Sequence, residues 1–461
     1  MTTSRRGFLK TALGAAALAG ASLAAPTIWT RRAWARTDAF GRAKHLIYIR
    51  LRGGFRFTCA FNGDVAAEWN PFGLATRKAD GCAWGMSRLL EPAPFLDGDD
   101  GAQRVALGMR PVPDLGAEIT VVPCVDHEPT AGRADGNHGS GLERYWTGSV
   151  GGDAGFLTLI NYGLRARYQA TTADGQVAIP AFCLGDAGMA RGLGVFAAHR
   201  PPVVQSGGFD GFGLSTEDRV PAWARGLSKA QDERYRDRLR AAPRAAVDAY
   251  LETRKATLRF AEVFRDPILQ VGDGDTPIDG LSQDQLRLMF GDSDAGRNLR
   301  LALRLFHFGC SAVYVDQGGY DMHSGEENGL PGDMIDVNRL ISALFAALKA
   351  MTHPAGGTYW DHTVVAIGSE FGRTAGGNRF NSARGSDHGG DYATRWMSMP
   401  FFGGPVVPRG AQLGQTRPSD LAPEGEVVGY RAVLKSLLDV LGCDSEDLFP
   451  ADPPYQSLFV G

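Results

Sequence analysis

The chain has 461 residues, of which 44% are hydrophobic, and its 48 Lys and Arg nearly balance 51 Asp and Glu for a net charge of −3. That length and composition predict a globular protein with a sizeable core and exclude a fibrous or disordered chain. Because the charge shows no basic excess, the composition also argues against a protein that binds nucleic acid.

The first 35 residues have the pattern of a bacterial export signal. Arg5 and Arg6 stand in the sequence SRRGFLK, an uncharged stretch follows from residue 11 to residue 25, and Ala33-Trp34-Ala35 offers a cleavage site. The uncharged stretch has 15 residues, fewer than the about 20 of a membrane-spanning helix, so we expect no retained membrane anchor. We predict that residues 1–35 are a twin-arginine signal peptide, read by the twin-arginine export machinery, and that the mature protein is periplasmic or secreted.

Five short apolar runs predict buried strands. The first, HLIYIRL at residues 45–51, leads into Arg52-Gly53-Gly54, the pattern of a strand that ends in a tight loop. The others lie at residues 119–125, 177–184, 312–316 and 363–367. Apolar residues at helical spacing between Val337 and Leu348 predict a helix before the last of these strands. Strands that alternate with helices predict an α/β fold, a mainly parallel sheet with helices on both faces, whose ligands bind at the carboxyl ends of the strands.

Residues from about 186 to 300 interrupt this alternation. They contain a Pro- and Gly-rich stretch, a charged helical segment at 229–240 and a longer helical segment at 244–264. Strand-like runs resume at residue 312, so we predict a helical insertion rather than a separate domain. The mature chain, residues 36–461, is therefore predicted to be one α/β domain that ends in a helix at about 430–441.

The six cysteines show no CxxC pair and no other metal-ligand spacing. Cys124, Cys183 and Cys310 lie in or beside apolar runs, which predicts buried free thiols. A disulfide stays open for Cys59 and Cys82, the pair closest in sequence, because an exported protein enters an oxidising compartment.

Three loops concentrate the residues that are suited to metal binding or acid–base chemistry. DQGGYDMH at 316–323 follows the fourth predicted strand, SEFGRT at 369–374 follows the fifth, and GSDHGG lies at 385–390. Carboxylate and imidazole groups suit zinc, manganese or iron, and an arginine can hold an anionic oxygen in a bidentate fork. The candidate residues are Asp321, His323, Glu370, Arg373, Asp387 and His388.

Each loop also has a purely structural explanation. Asp321 can form a turn beside a surface histidine, and Glu370 can form a surface ion pair with Arg373. Three such loops on successive elements favour a shared site, because the carboxyl ends of parallel strands meet at one edge of a sheet. We therefore expect the candidate carboxylates and imidazoles to converge at that edge.

The order of these motifs resembles a known family. GGYDMH, a helix, SEFGRT and GSDHGG follow one another as in the exported bacterial family called domain of unknown function 1501, which is similar to the alkaline phosphatase and sulfatase superfamily. The resemblance covers most of the mature chain, including the LRGG end of the first strand and segments at 137–148 and 155–157. It implies an alkaline-phosphatase-like fold that holds one or two metals at the strand ends and hydrolyses phosphate, sulfate or related esters.

Carried over by residue, the resemblance assigns roles to the three loops and to one helix start. The candidate ligands for zinc, manganese or a similar divalent metal are Asp321, His323, Glu370, Asp387 and His388. The candidate catalytic residues are His138, Ser140, Arg56 and Arg373. In this scheme the metal activates the Ser140 hydroxyl or a water molecule, and Arg56 and Arg373 stabilise the charge that develops on a small anionic ester.

Two positions depart from the family pattern. Family members carry an Asp soon after the first-strand Gly-Gly, where this chain has Arg56, and a Ser before the motif histidine, where it has Asn137. The nearest hydroxyl is that of Ser140, which can equally be the N-cap of the helix that follows. If Arg56 has replaced a metal ligand, it should point into the site near Asp321 or Glu370, and the wild type should bind at most one metal.

These departures leave two classes of function open. The first is a metal-dependent ester hydrolase. The second is a non-catalytic anion- or metal-binding or assembly protein with a degenerate hydrolase site, in which a fixed guanidinium takes the place of a metal charge. The sequence contains no Rossmann fingerprint, haem motif or CxxC cluster that would support a redox cofactor enzyme.

Overall fold

The structure of the protein is a computed structural model, which describes residues 38–127, 136–169, 179–204, 222–240, 244, 247–248, 269, 277–373, 388 and 395–460. The predicted signal peptide, Asp387 and most of the predicted helical segment at 244–264 lie outside these residues. Those three expectations therefore stay predictions.

Seven strands form one sheet in the order β3-β4-β1-β5-β6-β2-β9, and β7 pairs with β8 in a small separate ribbon. The first strand, β1, lies between β4 and β5, and each of the five predicted apolar runs contributes a strand to the sheet. The strands are β1 (His45–Leu51), β2 (Ile119–Asp126), β3 (Phe182–Leu184), β4 (Ala312–Gln317), β5 (Thr363–Gly368), β6 (Trp396–Phe402), β7 (Gln415–Thr416), β8 (Pro423–Glu424) and β9 (Val428–Gly429).

The large sheet is mixed but mostly parallel. β3, β4, β1 and β5 run parallel, so their carboxyl ends share one edge. β6 runs antiparallel to both of its neighbours, β5 and β2. The sequence analysis did not predict β6, because its run WMSMPFF contains Ser398 and Pro400, which weaken the strand pattern. The architecture is compatible with the predicted α/β class.

The predicted helix around Val337–Leu348 is part of a longer one, Glu326–Ala350, which contains Pro331. The charged segment near 229–240 contributes to the helix Ala222–Asp237, and the final helix is confirmed at Tyr430–Val440. No helix in the described ranges is long and apolar enough to cross a membrane. The other α-helices of these ranges are Gly98–Ala106, Val112–Leu115, His138–Thr147, Phe156–Gly163, Arg165–Gln169, Gln283–Phe290, Asp294–His307 and Tyr359–His362.

Helices cover both faces of the sheet at β1, where side chains alternate between the two faces. The Tyr48 hydroxyl lies 2.6 Å from that of Tyr430 on the final helix, and the Tyr48 ring stacks on Tyr145. His45, three residues earlier and therefore on the opposite face, stacks on Phe306 of the helix Asp294–His307.

All six cysteines are buried free thiols, as predicted for Cys124, Cys183 and Cys310, and Cys59 and Cys82 form no disulfide. Burial raises the pKa of Cys59 and of Cys310 to about 12, which keeps both thiols neutral. Both therefore pack as small apolar side chains rather than as reactive thiolates.

Two histidines at the amino end of β1 form a buried pair with defined proton positions. Nδ1 of His45 donates to the carbonyl of Cys310 over 2.7 Å, so Nε2 of His45 accepts from Nε2 of His353 over 3.0 Å. Nδ1 of His353 in turn accepts from the backbone N–H of Ala355. Burial lowers the pKa of His45 to about 3 and that of His353 to about 4, so both rings are neutral.

We expect this pair to make the protein sensitive to acid. The pKa of His45 is about 3 in the folded chain against an ordinary 6.5, so below pH 6.5 the unfolded state binds more protons. The stability that His45 contributes is therefore complete above pH 6.5 and is lost as the pH falls towards 3. The loss amounts to about 2 kcal/mol between pH 6.5 and pH 5.

Urea unfolding at these two pH values checks this prediction in the wild type and in His45→Asn, whose amide can still donate to Cys310. Titration elsewhere in the chain is common to both proteins and cancels in the comparison. The variant should lose less stability on acidification, and an equal loss in the two proteins would contradict the prediction.

Candidate metal centre

The loops that follow β1, β4 and β5 meet because these three strands are parallel neighbours. Arg50 of β1 is level with Asp316 of β4 and with Gly368 of β5. The residues a few positions beyond them therefore emerge together at the carboxyl edge of the sheet. This edge holds the candidate residues of the first and second loops. Of the third loop, the structure describes His388, which also lies at this edge.

Gly53 and Gly54 allow the β1 loop to approach its two neighbours closely. Both have positive φ, +95° and +77°, which favours glycine. A Cβ on Gly53 would lie 2.6 Å from the backbone nitrogen of Asp321, and one on Gly54 would lie 2.0 Å from the Phe371 ring. The close approach lets the Gly53 N–H donate to Oε1 of Glu370 over 2.7 Å.

Four side chains from three separate parts of the chain converge at this edge. Their possible ligand atoms all lie within 4.8 Å of one another. Oδ1 of Asp321 lies 3.0 Å from Nε2 of His323 and 3.5 Å from Nε2 of His388. Oδ2 of Asp321 lies 3.3 Å from Nε2 of His138, and the Nε2 atoms of His323 and His388 are 3.3 Å apart. The cluster is therefore His138, Asp321, His323 and His388.

Two of the imidazoles are held from behind through Nδ1, so that Nε2 faces the cluster. Nδ1 of His388 donates to the carbonyl oxygen of Gly136 over 2.5 Å. Nδ1 of His138 faces Oε1 of Glu370 at 3.5 Å, and because a carboxylate only accepts, this nitrogen carries a proton. The contacts with Glu370 and with Asp321 raise the pKa of His138, so a metal that binds Nε2 of this ring would displace a proton from it.

Glu370 lies next to the cluster and contacts it through His138, whereas the sequence predicted a direct metal ligand. It is buried, with Oε1 bound to Gly53 and Oε2 3.2 Å from the Ser369 hydroxyl. Burial raises the pKa of Glu370, but the hydrogen bond with His138 and the charge of Arg50 lower it by more. The pKa of Glu370 therefore lies below its ordinary value. The same contact raises the pKa of His138. The geometry suits a carboxylate that orients an imidazole.

Arg373 ties the β1 loop to the β4 loop. Its side chain is fully buried, with Nε donating to the carbonyls of Gly54 and Tyr320 over 2.8 and 3.1 Å. Nη2 donates to the carbonyl of Gly53 over 2.9 Å and to Oδ1 of Asp321. Burial raises the pKa of Asp321, and the hydrogen bond from Arg373 lowers it below its usual value. Arg373 thus fixes a cluster residue, in addition to any contact with an anion.

Arg50 is a site residue that the sequence analysis missed. Its Nε lies 2.9 Å from Oδ1 of Asp316, and its charge lowers the pKa of Glu370. Only 3% of the residue is exposed. The available signal was an arginine inside the apolar run HLIYIRL, because a charge in a buried strand needs a carboxylate partner.

Arg56 is buried, but its carboxylate partner is neither of the two that the sequence suggested. Nη2 lies 2.7 Å from Oε2 of Glu326, and both side chains are almost inaccessible, at 2% and 7% exposure. Glu326 is the first residue of the helix that follows the β4 loop. The turn Phe57–Cys59 begins directly after Arg56 and takes the chain into the core, which explains the difference.

The helix His138–Thr147 presents His138 to the cluster, and its N-cap corrects a prediction. Asn137, not Ser140, caps the helix, since its side-chain oxygen accepts from the backbone N–H groups of Gly139 and Ser140. The helix therefore begins at His138, earlier than expected, because Asn is as good an N-cap as Ser. The Ser140 hydroxyl donates to the carbonyl of Asn137 over 3.3 Å.

Comparison with known families covers the part of the chain that supplies most of this site. Residues 229–453 match the family described as "Protein of unknown function (DUF1501)". The match supports the family that the loop motifs resemble. It includes every cluster residue except His138, which precedes it. No curated protein matches the chain.

The donor set of this site fits a divalent metal. Ligands bound at 2.0–2.2 Å in tetrahedral geometry are about 3.3–3.6 Å apart. Four contacts in the cluster measure 3.0 to 3.5 Å, and all the possible ligand atoms lie within 4.8 Å of one another. Nε2 of His138 is buried and, among the described residues, makes no hydrogen bond despite its contact with Asp321. Imidazole and carboxylate ligands suit zinc, manganese and iron.

Proposed function

We propose that this protein is an exported, metal-dependent hydrolase of phosphate, sulfate or related esters, built on an alkaline-phosphatase-like fold. The observation that carries the proposal is the cluster of three imidazoles and one carboxylate at the carboxyl edge of the sheet. Their spacing suits a single divalent ion, with zinc or manganese the best match to the ligands. The resemblance of the loop motifs supplies the class of reaction.

The residues around the cluster suit hydrolysis by water. A metal held by these residues would lower the pKa of a water molecule bound to it in addition to the four protein ligands, and would polarise an ester oxygen. The chain's part is to hold the ligands: Glu370 orients His138, and Arg373 fixes Asp321. We favour water over Ser140 as the nucleophile, because the Ser140 hydroxyl already donates to a backbone carbonyl.

Hydrolysis by protein purified from the periplasm tests this function. The wild type should hydrolyse an aryl phosphate or an aryl sulfate, lose that activity after treatment with a chelator, and regain it with added zinc or manganese. The variant Glu143→Gln serves as a control and should keep the wild-type activity, since Glu143 lies on the same helix as His138 but pairs with Arg191. Metal-loaded protein without activity on either class of ester would overturn the proposal.

A second function, non-catalytic binding of a metal or an anion, is favoured by a different observation. The two arginines expected to stabilise charge on an ester are both buried, Arg56 against Glu326 and Arg373 between two loops. An anion that reaches the cluster from solvent would then meet fewer cations than hydrolysis favours. One metal per chain and no turnover of either class of ester would support this alternative.

We expect Glu370→Gln to weaken metal binding about 10- to 100-fold, because the variant keeps the shape of the side chain but removes the charge that orients His138. The dissociation constant for zinc, measured by competition with a chromogenic chelator, checks this. Glu143→Gln should leave the constant unchanged. An unchanged constant in Glu370→Gln would mean that Glu370 has only a structural role.

A further inference from the structure

A small pocket next to the candidate metal centre is lined by both Arg56 and Arg373. Its free volume for the centre of a water-sized sphere is about 10 Å³, room for one small guest. Within the described part of the chain, none of the four cluster residues lines it. The polar residues of its wall, besides the two arginines, are Thr58, Asn62, Ser398 and Thr416.

Both arginines bring buried N–H groups that have no acceptor among the residues that the structure describes. Their side chains are 2% and 0% exposed. Among the described residues, Nε and Nη1 of Arg56 and Nη1 of Arg373 donate no hydrogen bond. A charged N–H group that is buried without an acceptor destabilises the fold, so an acceptor in this cavity would be strongly bound.

The surrounding carboxylates do not meet this need. Glu326 lies 2.7 Å from Nη2 of Arg56, and Asp321 accepts from Nη2 of Arg373, so neither carboxylate is bonded to Nε or Nη1 of Arg56 or to Nη1 of Arg373. Two guanidinium groups therefore line one small cavity with the same kind of group, N–H donors that carry positive charge.

The N–H groups without an acceptor favour a guest that accepts hydrogen bonds. The hydroxyl groups of Thr58 and Ser398 donate to the backbone carbonyls of Trp69 and Pro123, and that of Thr416 accepts from the Asn62 amide. Because a hydroxyl that donates elsewhere still accepts, this wall takes a water molecule as well as an anion. A monatomic anion adds the attraction of its charge to both guanidinium groups.

We propose that this cavity binds one small inorganic anion of the halide class, chloride under physiological conditions, between Arg56 and Arg373. The bound anion would neutralise part of the charge that the two arginines place beside the cluster. It would also hold Arg373 in the position from which it fixes Asp321. This inference concerns a site apart from the metal and does not depend on the proposed hydrolase activity.

Bromide serves as the probe in two measurements on the full-length mature protein. The first is thermal unfolding at constant ionic strength as sodium gluconate is replaced by sodium bromide, both with metal bound and after chelation. We expect a saturable rise in melting temperature in both states, since a ligand of the folded state stabilises it. The second is bromine anomalous scattering from crystals, which should show one peak between the two guanidinium groups.

Variants separate this site from others. Arg56→Gln should abolish the bromide-dependent rise, and Arg56→Lys, which keeps the charge beside Glu326, should raise the apparent dissociation constant about tenfold or more. Arg191→Gln removes a more exposed arginine and should leave the response intact. If Arg56→Gln does not fold, the bromine peak in wild-type crystals and the bromide response of Arg56→Lys still test the proposal. A response lost on chelation, a response kept by Arg56→Lys unchanged, or a cavity that holds water alone would overturn the proposal.

Discussion

After purification, the variants His323→Ala and His388→Ala should each contain less than about a tenth of the metal that the wild type contains. Each change removes one of three imidazoles from a cluster whose ligand atoms lie within 4.8 Å of one another. The three remaining ligands should hold an ion more weakly, so the change should act on affinity rather than on the fold. The measurement is metal content per chain by mass spectrometry, on protein purified from the periplasm without added metal. We expect one metal per wild-type chain.

A matched control is His307→Ala. His307 is a partly exposed histidine whose Nδ1 lies 3.1 Å from Oδ1 of Asp279, away from the cluster. This variant should keep the wild-type metal content and the wild-type melting temperature after chelation. Wild-type metal content in both cluster variants would remove the basis of the proposed site. Two metals per wild-type chain would instead show that further ligands, such as Asp387, complete a larger centre.

The second large effect concerns export. We expect the double change Arg5→Lys and Arg6→Lys to keep almost all of the precursor in the cytoplasm, because the twin-arginine route recognises the arginine pair itself rather than its charge. Fractionation of cells followed by immunoblotting gives the share of protein in each compartment. The precursor should appear at its full length in the cytoplasmic fraction.

The chain contains its own control for this experiment. Arg31 and Arg32 form a second arginine pair that lies after the uncharged stretch. Changing this pair to lysine alters the charge of the segment equally but leaves SRRGFLK intact, so export should continue. Equal periplasmic yields from the wild type and the Arg5/Arg6 variant would remove the basis for an exported protein.

Local sequence was sufficient to predict the strands that build the centre of the sheet. β1, β4 and β5 are short, buried and rich in β-branched residues, and they lie where the apolar runs predicted them. β6 escaped prediction because it owes its place to pairing with β2 and β5, partners far from it in the chain. Propensity carries little information about such pairings.

The same distinction holds for the site. Asp321, His323 and His388 could be predicted from the sequence, because metal-binding side chains stand close together within each loop. The contact of Glu370 with His138, and that of Arg56 with Glu326, join segments whose spacing in the sequence gives no hint of proximity. Ser140 shows the limit of a local rule, since Asn137 satisfies the same capping preference and lies where the helix begins.

The long separation between the cluster residues has a consequence for the order of events in the cell. Gly136, which holds His388 in place, is 252 residues away from it in the chain. Closing a loop of that length costs conformational entropy, and an unfolded chain offers the ion nothing in return until the sheet has formed. Loading of the ion should therefore follow folding, which makes the compartment where the chain folds the one whose free-metal level decides which ion it carries.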